Sequence, residues 1–167
     1  PSGRGFGQPL RLMVDLGIND NICEMFVFEP KASYVIASNS GKGFVVDENH
    51  LIAQTRNGRK IMNMAEGETA SFCRKITGDM IVGDNRKMLI FKIEEIPTMA
   101  RGRGVTLQKY KDGGLSDMQI FNEADGFTFE KNSCTKTETE LLGWLGHRGQ
   151  VGKLVPFGFL KTNKFFK

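Results

Sequence analysis

The chain has 167 residues, which is enough for one domain with a sizeable core. Its composition, 40% hydrophobic and 25% charged, is typical of a globular protein and excludes a disordered one. The longest apolar runs, such as Met25–Phe28, have about four residues, whereas a membrane-spanning helix needs roughly twenty. The net charge of +4 comes from residues 131–167, where seven Lys or Arg stand against two Glu, so the rest of the chain is nearly neutral.

Short strand-like runs recur up to residue 130, and helical periodicity is scarce there. Each run combines apolar and β-branched residues and is bounded by turn-forming Gly, Asn, Asp or Ser. About twelve such strands in 130 residues have the spacing of an all-β array. The predicted strands are Leu10–Leu16, Met25–Phe28, Tyr34–Ser38, Gly43–Val46, Leu51–Thr55, Lys60–Met64, Ser71–Ile76, Met80–Gly83, Met88–Ile93, Val105–Tyr110, Asp117–Phe121 and Phe127–Glu130.

Several neighbouring strands are joined by hairpin signals that end in basic residues. Segments 38–43 and 56–60 contain Asn and Gly, which accept the positive φ of tight turns. Segment 84–87 (Asp-Asn-Arg-Lys) has the same role without a glycine. The basic residues at these tips are Lys42, Arg59, Lys60, Arg86 and Lys87.

A longer repeat relates two glycine-rich segments. Residues 3–11 parallel residues 99–108, and placing Gly7 on Gly104 also aligns Leu10 with Leu107. The offset of 97 residues is about twice the length of one four-stranded blade, so twelve strands divide into about three blades. The repeat predicts a propeller-like architecture for residues 1–130.

Residues 131–167 have a different character. Thr137 to Glu140 reads as a capping box that opens a short helix through Leu145, weakened by Gly143 and ended by Gly146. The stretch from Gly149 to Lys167 mixes Gly, Pro, Phe and Lys without a period. We expect a loop that packs its phenylalanines onto the blades, so the predicted division is 1–130 for the blades and 131–167 for the helix and tail.

The residue types that carry catalysis or metal binding do not form a recognisable site. No serine stands in a nucleophile-elbow pattern, and no phosphate-binding loop is present. The histidines, His50 and His147, have no metal-ligand spacing to any cysteine. We therefore predict no catalytic residue, no metal ligand and no cofactor in this chain. We expect the three cysteines, Cys23, Cys73 and Cys134, to be buried reduced thiols of a cytoplasmic protein.

Two stretches carry a resemblance to a known family. GDNRKMLIF at 83–91, followed by IPTMARGRGVTL at 96–107, resembles the blade signature of the A subunits of gyrase and topoisomerase IV, which are bacterial type IIA topoisomerases. YKDGGLSD at 110–117 and GFLKTNKF at 158–165 are similar more narrowly to topoisomerase IV A subunits of the α-proteobacterial kind. The gyrase box QRRGGKG is absent from the sequence, which favours topoisomerase IV, although the box belongs to the first blade of that family. Because the chain begins with Pro1, we expect a piece of a longer protein.

The resemblance implies a β-pinwheel, in which four-stranded blades stand as in a propeller and exchange strands with their neighbours. It implies that duplex DNA bends around a basic rim, without sequence readout, next to the catalytic core of the same subunit. The B subunit of topoisomerase IV would be the further partner, and ATP and Mg²⁺ would act on other domains of the parent enzyme. Neither tyrosine stands in the family's Arg-Tyr-Thr cleavage context, so the segment itself is predicted to be non-catalytic.

The candidate DNA contacts are the Lys and Arg residues at hairpin tips and in loops, because such bases neutralise phosphates. The predicted DNA-binding residues are Arg56, Arg59, Lys60, Arg86, Lys87, Arg101 and Arg103, followed by Lys42, Lys109 and Lys111. Two alternatives remain at this point: a propeller-like module that binds protein through the aromatic tail or the Trp144 helix, and the equivalent domain of the A subunit of gyrase. The strand phenylalanines are predicted to be core residues, and Trp144 is predicted to anchor the terminal helix.

Overall fold

The structure is a computed structural model, and it describes residues 5–129, 134–136, 138–156, 159 and 162–166. Ten strands and three short helices are found there, with 3₁₀ turns at Ile93–Glu95 and Glu123–Asp125. The strands are β1 Ser33–Ser38, β2 Lys42–Asp47, β3 Ala70–Lys75, β4 Met80–Asp84, β5 Lys87–Lys92, β6 Val105–Thr106, β7 Asp117–Phe121, β8 Phe127–Phe129, β9 Cys134–Lys136 and β10 Lys153–Leu154. The helices are α1 Leu10–Met13, α2 Glu48–Leu51 and α3 Glu138–Leu141.

The strands form two four-stranded antiparallel sheets and a two-stranded one. Sheet 1 has the order β3-β1-β2-β6, and sheet 2 has the order β10-β5-β4-β7. The third sheet, within the described residues, is the β8-β9 hairpin. In sheet 1 the central hairpin β1-β2 is followed directly in the chain by its neighbour β3, whereas in sheet 2 the strand β6 comes between the central hairpin β4-β5 and its neighbour β7. The strand on the other side of each central hairpin comes from beyond the next hairpin. β6 follows β5 in the chain but pairs with β2, and β10 in the same way pairs with β5.

The two large sheets are repeats of one another. β1 and β4 begin at Ser33 and Met80, and β3 and β7 begin at Ala70 and Asp117, so each pair is 47 residues apart. β6 and β10 are the exchanged strands, and the contacts that precede them repeat as well. The peptide N–H of Met99 donates to the carbonyl oxygen of Val45 at 2.8 Å, and that of Gly146 donates to the carbonyl oxygen of Ile90 at 2.9 Å. The repeat offset predicted from the glycine-rich segments was 97 residues, which is about two of these steps.

The glycines that precede the exchanged strands explain why those strands can dock so closely. Gly104 and Gly152 both have left-handed backbone, with φ of 77° and 80°. A Cβ at Gly104 would lie 2.9 Å from the Cα of Gly43, and a Cβ at Gly152 would lie 2.5 Å from the carbonyl oxygen of Met88. Glycine is therefore required at both positions, for its conformation and for the absence of a side chain.

Both faces of the central strands are buried, which makes their sequences read as apolar runs. On β1, Val35 and Ala37 face sheet 2, whereas Tyr34 and Ile36 face the other way. On β5, residues 89 and 91 belong to the cluster between the two sheets, and residues 88 and 90 pack under the β8-β9 hairpin. The core thus has three layers stacked across the blades.

Eight of the predicted strands are confirmed in whole or in part, and four are wrong. Residues 10–13 form a helical turn, residues 25–28 and 51–55 contain no strand, and residues 60–64 provide one isolated bridge, from Met62 to Gly102. The predicted strand Val105–Tyr110 is paired at its first two residues. The apolar pattern of residues 25–28 does not produce a strand because a strand also needs a partner with free backbone groups, which the pattern alone cannot reveal.

Segment 22–29 lies against sheet 1 by side-chain contacts instead. Arg74 pairs with Glu24, Lys75 pairs with Glu29, and the ring of Phe26 stacks on Tyr34 with centroids 4.5 Å apart. These contacts leave much of the segment's apolar surface accessible, including Met25 and Val27.

The C-terminal part agrees with its predicted packing but not with its predicted helix. α3 ends at Leu141, so the predicted extension to Leu145 is wrong, and Thr137 of the predicted capping box lies outside the described residues. Phe159 and Phe165 are buried in the cluster beneath β8, as expected for a tail that packs on the blades. β9 and β10 were not predicted. The division of the chain at residue 130 stays a prediction.

Candidate nucleic-acid interface

The tip of the β4–β5 hairpin places two predicted DNA contacts side by side. Arg86 and Lys87 are both exposed there, and Arg86 has a left-handed backbone with φ of 61°. Gly41 stands at the corresponding position of the β1–β2 hairpin, with φ of 77°. An L-residue in this conformation costs about 1 kcal/mol relative to glycine. The β4–β5 hairpin therefore has a strained arginine at the position where the β1–β2 hairpin has an unstrained glycine.

The segment after β6 fixes the surroundings of this tip. The side chain of Gln108 is buried and donates to the carbonyl oxygens of Lys87 at 2.7 Å and Val151 at 3.0 Å. The hydroxyl of Tyr110 donates to Gln108 Oε1 at 3.2 Å, and the backbone N–H of Lys109 donates to Gln150 at 3.0 Å. The buried side-chain amide of Gln108 therefore connects three parts of the chain: the β4–β5 hairpin, the segment after β6 and the tail.

A cleft of about 460 Å³ opens between these three parts. Four of its lining residues are bases, and one, Asp112, is an acid, so the cleft is strongly positive at neutral pH. All four bases are exposed and belong to the predicted set. We call it the basic cleft; it is lined by Asn85, Arg86, Lys87, Lys109, Tyr110, Lys111, Asp112, Gly113, Val151, Leu154 and Asn163.

The structure does not bring the other predicted residues into this cleft. Arg56, Arg59 and Lys60 are exposed in the loop that follows α2. Lys42 is half-buried at the start of β2, opposite Thr106.

The segment between β5 and β6 carries the two remaining predicted residues. Arg101 is exposed, and Arg103 lies 3.5 Å from the carboxylate of Glu68, so part of its charge is already offset.

Sequence reasoning missed the contribution of the tail to the basic cleft. Val151, Leu154 and Asn163 line it, and the backbone N–H of Val155 donates to the carbonyl oxygen of Arg86 at 3.2 Å. This contact repeats one in the preceding blade, where the backbone N–H of Leu107 donates to the carbonyl oxygen of Gly41 at 2.8 Å.

A second cleft, of about 550 Å³, lies beside the tip of the β1–β2 hairpin. Its lining includes Asn39, Ser40, Glu66 and Glu68, and it shares Gly113 with the basic cleft. The backbone N–H of Ala65 donates to Glu68 at 2.8 Å. This hydrogen bond, with those from Ser40 and Arg103, lowers the pKa of Glu68 to about 2. We call this the acidic cleft.

The other candidate chemistry of the sequence does not assemble into a site. Within the described residues no three His, Cys, Asp or Glu side chains are grouped as metal ligands would be, and no helix there could cross a membrane. Cys23 is exposed, so its predicted burial is wrong, and Cys73 is partly buried, which raises its thiol pKa to about 11. Trp144 is half-buried, and its indole N–H donates to Leu154 at 2.8 Å, as expected of an anchoring residue.

Comparison with known proteins identifies the architecture. The family model of the DNA gyrase C-terminal domain, a beta-propeller, matches residues 33–76 and 80–115, which run from β1 into the segment after β6. The A subunit of DNA topoisomerase 4 from Rickettsia bellii is 45% identical over 165 residues, which is 98% of this chain and 22% of that relative. The chain belongs to the gyrase A C-terminal domain family.

Further relatives agree with the family. The same subunit of Caulobacter vibrioides is 39% identical over 100% of this chain and 22% of its own length. The solved C-terminal domain of E. coli ParC superposes with a TM-score of 0.82 at 23% identity, covering 94% of this chain and 69% of that one. A gyrase A C-terminal domain superposes with a TM-score of 0.61 at 17% identity, covering 81% and 48%. The predicted β-pinwheel of this family is confirmed, while the chain spans about a fifth of the length of the curated relatives.

Proposed function

We propose that the chain binds duplex DNA through its phosphates, without reading sequence, and that the basic cleft is a principal contact. The observation that carries this proposal is the convergence of Arg86, Lys87, Lys109 and Lys111 on one cleft whose described lining has a single acid. Exposed Lys and Arg side chains release counterions from phosphates, which yields affinity and orientation but no base discrimination. The three helices of the described residues have four residues each, which is too short for a base-reading recognition helix.

The test uses two lysines at opposite ends of β5. Lys87 lines the basic cleft, and Lys92 is exposed at the other end of the strand. Binding of a fluorescent 30-base-pair duplex is measured by anisotropy between 25 and 200 mM salt. Each phosphate contact contributes about 0.9 to the slope of log K against log salt, so four contacts predict a slope of about −3.6. Lys87→Gln should reduce the slope by about 1, and Lys92→Gln should leave it unchanged.

Two results would contradict the proposal. One is the absence of duplex binding by the wild-type chain even at 25 mM salt. The other is an equal loss with Lys87→Gln and Lys92→Gln, which would mean that affinity follows the total charge and not the cleft. Duplexes of unrelated sequence should bind alike, because phosphate contacts carry no base information.

The wider role that we propose is that of the family's parent enzyme. DNA held and bent on the blades would be presented to the catalytic core of the same subunit, which with the topoisomerase IV B subunit would carry out ATP-dependent strand passage, decatenation and supercoil relaxation in the bacterial cytoplasm. Bending 20–30 base pairs costs on the order of a few kcal/mol, which phosphate contacts must offset. Relaxation and decatenation assays of the reconstituted holoenzyme test this role: Lys87→Gln should lower the rate and Lys92→Gln should not.

The alternative of a protein-binding module receives less support from the features that motivated it. Trp144 packs in the core cluster beneath β8, and so do Phe159 and Phe165 of the tail. These side chains therefore pack within the chain itself.

A further inference from the structure

The acidic cleft corresponds to the basic cleft in the neighbouring blade. Asn39 and Asn85 stand at equivalent hairpin tips, and each accepts a hydrogen bond at its side-chain oxygen, from the N–H of Thr69 and the hydroxyl of Ser116. The two clefts lie on either side of the segment that joins β6 to β7, and both are lined by Gly113. A polyanion that follows the hairpin tips from one blade to the next must therefore pass from one cleft to the other.

The charges of these neighbouring clefts are opposite. Glu66 and Glu68 line the acidic cleft, and no Lys or Arg belongs to its described lining. Arg103 reaches Glu68 and offsets one of the two negative charges. Glu66 is exposed in the turn between Ala65 and Glu68, and no ion pair with it is found among the described residues. No base of the described residues therefore offsets its negative charge at the place that the next phosphate would reach.

We propose that the acidic cleft ends the phosphate path at the first hairpin, and that Glu66 is the residue that repels the backbone there. DNA then engages the tip of the β4–β5 hairpin and is directed away from the tip of β1–β2. Repulsion acts over about one Debye length, roughly 8 Å at physiological salt, which is sufficient between clefts that share a wall. Such a repulsive group sets where a ligand does not bind, as attractive groups set where it does. The inference rests on the proposed DNA binding.

The test removes the repulsion without adding a base. Glu66→Gln and Glu94→Gln make the same change of charge. Glu94 is exposed in the 3₁₀ turn after β5, at the far end of that strand from the basic cleft, roughly 20 Å away at 3.3 Å per residue. Both side chains are exposed, and thermal melting of each variant checks that the fold is kept. Affinity for the 30-base-pair duplex is measured at 50 mM salt.

Glu66→Gln should raise the affinity two- to threefold, and Glu94→Gln should change it by less than a factor of 1.5. Glu66→Lys should raise it further and steepen the salt slope by about 1, because a new phosphate contact forms. Equal effects at positions 66 and 94, in duplex binding that is otherwise normal, would overturn this inference and leave the proposed function standing. Absence of binding by the wild-type chain and by both variants would overturn the two together.

Discussion

Arg86 and Gly41 occupy the same position in two successive hairpins, and both have left-handed backbone, with φ of 61° and 77°. At Gly41 the packing itself requires glycine, because a Cβ there would collide with the ring of Tyr110. Arg86 is exposed, so the packing does not demand a particular side chain. The second hairpin therefore keeps an arginine at a conformational cost, in the wall of the basic cleft.

Arg86→Gly should have effects of opposite sign on stability and binding. We expect the free energy of unfolding to stay level or rise by up to about 1 kcal/mol, because the left-handed strain is relieved. We expect duplex affinity to fall three- to tenfold at 50 mM salt, because one phosphate contact is lost. Chemical denaturation and anisotropy measure the two quantities, and a loss of both stability and affinity would show that the arginine is structural.

Gly104→Ala should be strongly destabilising, by about 3 kcal/mol or more, for two reasons. The new Cβ would collide with the backbone of Gly43, and the alanine would have to adopt a positive φ. Gly58→Ala is the matched control. Gly58 has φ of 73°, but a Cβ there would have no atom within 4 Å, so only the conformational cost of about 1 kcal/mol applies. Urea denaturation of both variants checks this difference, and equal costs would mean that the close approach of β6 to β2 is not rigid.

Gln108→Ala should destabilise the chain by about 1–3 kcal/mol, because the carbonyl oxygens of Lys87 and Val151 lose a buried donor. It should also weaken duplex binding although it removes no charge, since the loop that carries Lys109 and Lys111 loses its anchor. Gln54→Ala, at an exposed position, serves as the control for both measurements. Unchanged DNA affinity in a destabilised Gln108→Ala variant would mean that Gln108 stabilises the fold but does not position Lys109 and Lys111 for DNA binding.

The pKa of Glu68, lowered to about 2, predicts a stability loss in acid. A group whose folded-state pKa is depressed contributes stability above its unfolded-state value, about 4.5, and that contribution is lost as pH falls from there towards 2. Glu68→Gln should reduce the difference between unfolding midpoints measured at pH 5 and pH 2.5. Glu94→Gln should leave that difference as in the wild type, and an identical pH profile for Glu68→Gln would contradict the assignment.

The strands of the central hairpins could be predicted because local chemistry determines them. Apolar residues, turn-forming Asn and Gly, and short spacing all lie within a few residues of one another at Ser38–Gly43 and Asp84–Lys87. β6 and β10 have two residues each, and their partners are far away in the chain. The pattern at Val105–Tyr110 predicted a strand longer than β6, and no pattern indicated β10. Periodicity also cannot name a partner some sixty residues distant.

Only the part of the candidate site that lies within one hairpin could be predicted from the sequence. Arg86 and Lys87 followed from the hairpin, but their meeting with Lys109 and Lys111 depends on Gln108, which is an ordinary polar residue in the sequence. Asn163 enters through the path of the tail. The acidic cleft could not be predicted because Glu66 and Ser40 become neighbours only after β3 pairs with β1.

The exchange of strands also determines the order in which the chain can mature on the ribosome. The edge of β2 remains open until Val105–Thr106 has been made, and that of β5 until Lys153–Leu154 has been made. At about 5–20 residues per second, a gap of roughly sixty residues lasts about 3–12 s. During that interval each new blade exposes a row of unpaired backbone groups. During synthesis, the sheet of each of these two blades is therefore completed only after the next hairpin of the chain has been made.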